Sequence, residues 1–238
     1  MSDTLAFLLD APLQSWGASS KFQRRDTESW PTKSALVGVL AAALGIDKHA
    51  QDEVVRVAPL AALCFSVFRW PKRAPVTRLA DFHTIGGGYD KTNPAEKLHI
   101  PCKAGDGSPF GTVITRRAYL TDARFIALFQ GDRATLERAA AALLDPVWGI
   151  WFGRKTCIPA VPLSPVVAAS PREALAALWQ KFGNDPAEIA ALEGMTESPG
   201  DGRFYQADQP VAFGQHHGAI PAAYLSRPVR RIHASELA

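Results

Sequence analysis

Apolar positions along this chain switch between short dense runs and a spacing near 3.6 residues, and each switch marks an element. Leu5 to Leu9 is apolar and closed by Asp10-Ala11-Pro12, too short for a helix and suited to a buried strand. From Thr32 to Leu44, residues Ala35, Leu36, Val39, Leu40, Ala43 and Leu44 recur at helical spacing, with Pro31 ahead of them and Gly45 as a stop. Ala61 to Trp70 is aromatic and β-branched and ends at Pro71, which predicts a second strand; Arg124 to Phe129 predicts a third. Asp132 then caps a helix whose Leu136, Ala139, Ala140, Leu143 and Leu144 share a face before Asp145-Pro146 ends it. Val147 to Phe152 completes the series as a fourth strand.

The order strand, helix, strand, strand, helix, strand predicts an α+β fold of ferredoxin-like type, with two helices on one face of an antiparallel sheet. Its second and third strands would normally be joined by a short hairpin, yet the stretch from Pro71 to Ala123 is far longer than such a loop. An inserted hairpin or arm is expected there, with β-prone Val113-Ile114-Thr115 near its end. After Pro165, Ser170-Pro171-Arg172-Glu173 has the spacing of a helix start, and Gly183 ends that helix. The organisation expected is thus a palm over 1–165 that contains an arm at about 71–123, followed over 166–238 by a helix and an irregular region packed on the palm.

With 238 residues, 47% of them hydrophobic and 21% charged, the chain has the composition of a folded globular protein. No apolar run reaches the roughly 18 residues of a membrane helix, and Asp3 stands where a signal peptide would be basic, so a cytoplasmic location is expected. Cys64, Cys102 and Cys157 form neither a disulfide framework nor a CxxC pair. Net charge is only +3, but it is unevenly spread: Val54 to Ala80 holds five basic residues and no acid, whereas Asp185 to Asp208 holds six acids against Arg203 alone. Such asymmetry points to one side facing a polyanion and another facing solvent or a partner.

Conventional catalysis finds little support. GxxxxGK[ST] and GxSxG are absent, and none of His49, His83, His99, His216, His217 and His233 sits in an HExxH helix, so neither a metal nor another cofactor is expected. Metal-free RNA cleavage asks only for a base, a cation and an acid, types that His83, Tyr89 and Lys91 supply within the arm. Binding signals are stronger. Lys21, Arg24, Arg25, Trp30 and Lys33 mix cations with an aromatic ahead of the first helix, whose free amides would attract a phosphate beside Lys33 and Ser34. The alternative is a solvated loop with Trp30 covering the sheet. On the phosphate reading, Lys33→Ala leaves stability unchanged and weakens RNA binding. Gly153-Arg154-Lys155 places two cations after a residue that permits close backbone approach. An RNP1 pattern is absent, which argues against an ordinary RRM.

Four separated motifs, Pro12-Leu13-Gln14-Ser15-Trp16-Gly17, Trp30 through Ile46, Asp81-Phe82-His83-Thr84 and Gly153-Arg154-Lys155-Thr156-Cys157, resemble the CasD family of CRISPR-associated proteins, and Arg116 to Phe125 adds a further match. The resemblance runs from about Leu5 to Pro165. It implies a modified RRM-like palm with an inserted thumb, and a non-catalytic subunit of the type I-E Cascade complex that grips the 5′ handle of CRISPR RNA and caps the backbone filament. Implied partners are the backbone subunit CasC, the large subunit CasA and, through the assembled complex, target DNA. Handle recognition would then use Lys33, Ser34, Arg78, Arg116, Arg117, Arg154 and Lys155 on phosphates and Gln14, Trp16 and His83 on bases. A related branch cuts precursor RNA, which keeps a metal-independent endoribonuclease centred on His83, Tyr89 and Lys91 as the alternative. An RNA chaperone without fixed partners is a third reading.

Overall fold

The computed structural model describes residues 2–17, 23–71, 76–85, 92–97, 113–201, 204–214 and 224–237. Its elements in chain order are β1 (Asp3–Asp10), β2 (Leu13–Gln14), β3 (Arg24–Arg25), α1 (Lys33–Ala43), α2 (Glu53–Ala61), β4 (Cys64–Arg69), β5 (Thr77–Ile85) and α3 (Pro94–Lys97). There follow β6 (Val113–Thr121), β7 (Arg124–Gly131), α4 (Arg133–Leu144), β8 (Val166–Ala168), α5 (Pro171–Lys181), β9 (Glu193–Glu197), β10 (Phe204–Pro210) and β11 (Tyr224–His233). Gly86-Gly87-Gly88, Tyr89, Lys91, His99, Cys102, His216 and His217 lie outside the described residues.

Alternation along β1 sends Leu5, Phe7 and Leu9 into one apolar layer and Ala6 and Leu8 into another, so both faces of this strand are buried. The first layer adds Phe65, Val67, Phe125 and Phe129 from β4 and β7 and is covered by α1 and α4 through Leu36, Leu40, Leu136 and Leu143. The second adds Phe68, Ile126 and Leu128 and is closed by Ala174, Leu175, Leu178 and Trp179 of α5. All the strands of the main sheet pair antiparallel, in the order β10-β11-β9-β4-β7-β1-β8. Asp132 accepts the Thr135 amide at 2.9 Å and Ser170 that of Glu173 at 3.2 Å, the two helix starts expected from sequence.

Three expectations are corrected. Val147–Phe152 is not a strand: its amides at Val147 and Trp148 donate to the carbonyls of Ala43 and Ala42, at 3.0 and 3.3 Å, and so satisfy the C-terminal end of α1 instead of a ladder. The strand beside β1 is β8, three residues long. The region after Gly183 is not irregular either, since β9, β11 and β10 extend the main sheet beyond β4. Finally, α2 was not foreseen, because Pro59 inside it reads as a breaker.

Between β4 and β7 the arm is a long antiparallel ribbon, β5 on β6, with Thr77 opposite Thr121 and Ile85 opposite Val113. On its other edge β6 pairs antiparallel with β2 and parallel with β3, which ties the ribbon to the segment after β1.

Candidate nucleic-acid interface

One side of α1 presents only small residues, Ser34, Gly38 and Ala42 in a line with Ala35 and Val39 beside them, and this leaves a cleft of about 620 Å³. Trp151 and Lys155 form one wall, Phe213 and Tyr224 another, and Ser15, Gly17, Arg25 and Asp26 the end toward the arm. The buried carboxylate of Glu53 fixes the Phe213 wall, accepting the amides of Phe213 at 2.7 Å and Gly214 at 3.2 Å. Lys155 is exposed, its ammonium 5.7 Å from the Trp151 ring centroid. Aromatic walls with cations at the rim can hold an unstacked base and its phosphate.

Gly153 has φ +100°, and a Cβ there would fall 1.7 Å from the Ser15 carbonyl oxygen, so only glycine fits. That close approach lets the Ser15 amide donate to Phe152 at 3.0 Å. The next residue is committed inward: Arg154 donates to the carbonyls of Ala118 at 2.8 Å and Arg25 at 2.7 Å, with its guanidinium 4.6 Å from the Tyr119 centroid. Arg154 thus latches β6 of the arm and β3 to the segment that follows α4, and Lys155 is the cation of the pair that faces solvent.

The predicted phosphate site at the start of α1 is occupied by the chain itself. Asp208, fully buried, accepts the Lys33 amide at 2.7 Å and so stands as the anion at this helix N-terminus. The Lys33 side chain is 2% exposed and meets Glu197 at 2.8 Å; Arg227 lies 3.4 Å from the same carboxylate oxygen and binds Asp208 at 2.6 and 2.9 Å. Burial lowers the Lys33 pKa from its ordinary 10.5, against the pull of Glu197, and burial also raises that of the neighbouring Cys64 thiol. Lys33 therefore does not reach a phosphate, and two of the six acids in the acidic stretch are internal counter-ions. Ser34 is buried too, yet it lines the cleft.

Gln14 and Trp16 are likewise corrected from base contacts to internal struts. Gln14 Nε2 donates to Ala123 at 2.7 Å and Leu9 at 3.3 Å, its Oε1 accepts from Trp16 Nε1 at 3.2 Å, and the Trp16 ring lies 6.0 Å from Phe152. Both are fully buried. Trp30 covers the sheet, as its alternative reading held, with Phe125 at 5.8 Å and the Arg69 guanidinium at 4.5 Å.

Cations of the arm divide between its two faces. Arg117 pairs in register with Asp81 and with Arg25, whereas Arg78 and Arg116 belong to the opposite face with Phe82. Arg78 donates to Ser29 at 2.9 Å and lies 3.8 Å from Asp26. His83 is half-exposed, with Nδ1 3.9 Å from Asp81. Among the described residues no three His, Cys, Asp or Glu side chains converge as a metal site would need. Trp151, Tyr224 and Phe213 escaped sequence reading because they come from segments that adjoin α1 only after folding; the aromatic run Trp148-Gly149-Ile150-Trp151 was the one available signal.

Residues 4–217 match the CRISPR-associated protein (Cas_Cas5) family. The chain is 31% identical over 183 residues to the "CRISPR system Cascade subunit CasD" of Escherichia coli (strain K12), covering 74% of this chain and 76% of that one. Among solved structures, a chain of a "CRISPR RNA-guided surveillance complex" superposes with a TM-score of 0.70 at 26% identity, over 97% of this chain and 89% of that one. A second, described as "Crystal structure of Cas protein", gives 0.63 at 28% identity, over 97% and 94%. This chain belongs to the CRISPR-associated Cas5 family. None of its described helices is long and apolar enough to cross a membrane.

Proposed function

We propose that this chain is the non-catalytic RNA-binding scaffold subunit of a type I Cascade surveillance complex, gripping the 5′ handle of CRISPR RNA and capping the backbone filament. The observation that carries the reading is the cleft along α1, with Trp151 and Tyr224 as aromatic walls and Lys155 and Arg25 at the rim. The relatives named above are Cascade and surveillance-complex proteins, which supports CasC and CasA as neighbours, target DNA as the ligand of the assembly and a cytoplasmic location. The order β4-β7-β1-β8, with α1 and α4 on one face, supports a ferredoxin-like palm in which the β5–β6 ribbon is the thumb.

Purified protein is incubated with handle-containing RNA in excess EDTA, and binding and integrity are measured on the same samples. Intact RNA is expected. Lys155→Ala lowers affinity and the magnitude of the salt slope by about one unit. Arg154→Ala instead leaves the slope unchanged and exposes the arm to protease. A specific cut that disappears in His83→Ala would establish the endoribonuclease and refute the scaffold.

A further inference from the structure

Trp30, just ahead of α1, borders a pocket of about 320 Å³ that shares no lining residue with the cleft. Its charged lining comes from three adjacent strands, Arg69 of β4, Glu193 of β9 and Arg231 of β11, with His233 and Glu236 at the end of β11. The register puts the first three on one face. Val67 and Arg231 both oppose Met195, so Arg69 and Glu193, two positions along β4 and β9, point to the same side. Because β9 lies between β4 and β11, the two guanidiniums stem from strands about 10 Å apart with a carboxylate between them.

These three charges are uncommitted. Arg69 lies against the Trp30 ring, 4.5 Å from its centroid, yet its Nε is buried without an acceptor. Among the described residues the side chains of Arg69, Glu193 and Arg231 have no hydrogen-bond or ion-pair partner, although Glu193 lies between the strands that carry the two cations. Glu236 is already engaged, accepting Arg230 at 2.8 Å and the His233 amide at 2.7 Å. An order of plus, minus, plus around one small cavity is complementary to a ligand of the opposite order. A polynucleotide does not meet it, because each phosphate would bring negative charge toward Glu193. A single carboxylate leaves one arginine and Glu193 unmatched. Two carboxylates and an ammonium on one short chain match all three, and that is the charge pattern of an acidic α-amino acid.

We propose that this pocket binds a free acidic amino acid, glutamate or aspartate, whose two carboxylates pair with Arg69 and Arg231 and whose ammonium pairs with Glu193. A guanidinium fork takes a carboxylate in two parallel bonds, and stacking on Trp30 holds the Arg69 fork in place before the ligand arrives. The site goes beyond the proposed RNA role and does not depend on it.

Full-length protein is titrated by calorimetry, at fixed salt and neutral pH, with L-glutamate, L-aspartate, glutarate and N-acetyl-L-glutamate. Saturable binding of glutamate or aspartate below about 10 mM is expected. Glutarate lacks the amine, and in N-acetyl-L-glutamate, which imitates a C-terminal residue, the amine is neutralised, so each binds about tenfold more weakly than glutamate. Arg231→Gln, at an exposed position, weakens the amino acid about tenfold, and Arg69→Gln does the same. Glu193→Gln removes the preference and leaves glutamate and glutarate within about twofold of one another. The site would be overturned by the absence of saturable binding of either amino acid to the native protein, by glutarate or N-acetyl-L-glutamate binding as tightly as glutamate, by an affinity unchanged in Arg231→Gln, or by a preference that survives Glu193→Gln.

Discussion

Lys33→Ala separates a structural lysine from a phosphate ligand. Lys33, Glu197, Arg227 and Asp208 form a buried set with two charges of each sign, and Lys33 reaches Glu197 at 2.8 Å with 2% of its side chain exposed. Truncation leaves one uncompensated negative charge inside and an empty stem. Breaking a buried pair costs about 3–5 kcal/mol. Here Arg227 still lies 3.4 Å from Glu197, which places the cost near the lower end, about 3 kcal/mol. For a chain of this size that is a fall in melting temperature of about 6–12 °C. Thermal unfolding without RNA measures it. Lys33→Met combined with Glu197→Met removes both charges, keeps the volume and leaves the Arg227–Asp208 bonds in place, so it recovers most of the loss. A Lys33→Ala protein that melts like the wild type but binds RNA several-fold more weakly would refute the buried set and restore the phosphate reading.

Two further outcomes follow from the same geometry. Gly153→Ala places a Cβ into the Ser15 carbonyl and costs about 3 kcal/mol or more, whereas Gly183→Ala, at φ +74° with nothing near its Cβ, costs about 1 kcal/mol; equal melting shifts would refute the close approach. Glu197→Gln removes the group that opposes the burial-driven fall of the Lys33 pKa, so the folded state binds fewer protons than the unfolded one between that lowered value and 10.5. Its stability deficit against the wild type should therefore narrow as pH rises through that window in urea titrations, and a constant deficit would show that Glu197 does not hold up the Lys33 pKa.

The strands and helices around β1 were legible because they announce themselves locally. Leu5 to Leu9, the α1 stripe, and the Asp132 and Ser170 caps depend on neighbours a few residues away, and each forms as expected. The segments that were misread depend on distant ones. Glu193-Gly194-Met195-Thr196-Glu197 has no strand composition, and it pairs because β4 and β11 flank it and Gly194 leaves no Cβ to strike Phe68. Val147 and Trp148 look like strand residues, yet their amides are drawn to the open carbonyls of α1. Lys33 failed for the same reason, since its counter-ion arrives from 164 positions along the chain. Charge runs showed where cations and acids are dense, but not which of them neutralise one another inside.

That distinction bears on how the cleft is held. Its floor, α1, is anchored by Asp208 and Glu197 at the helix start and by the Val147 and Trp148 amides at its end. One wall hangs on Glu53 through the Phe213 and Gly214 amides, and the end toward the arm on Arg154 through two backbone carbonyls. Each anchor joins residues far apart in sequence, and all except the Val147 and Trp148 amides use a charged side chain on a backbone group or a buried counter-ion. Such bonds exceed neutral ones in strength and leave a buried group unsatisfied when broken. The charges that hold the cleft are therefore paired internally and cannot be lent to a ligand. Lys155 at the rim, Arg116 on the arm and Arg24 on the adjoining β3 lack carboxylate partners among the described residues, and under the proposed function these are the cations open to a polyanion.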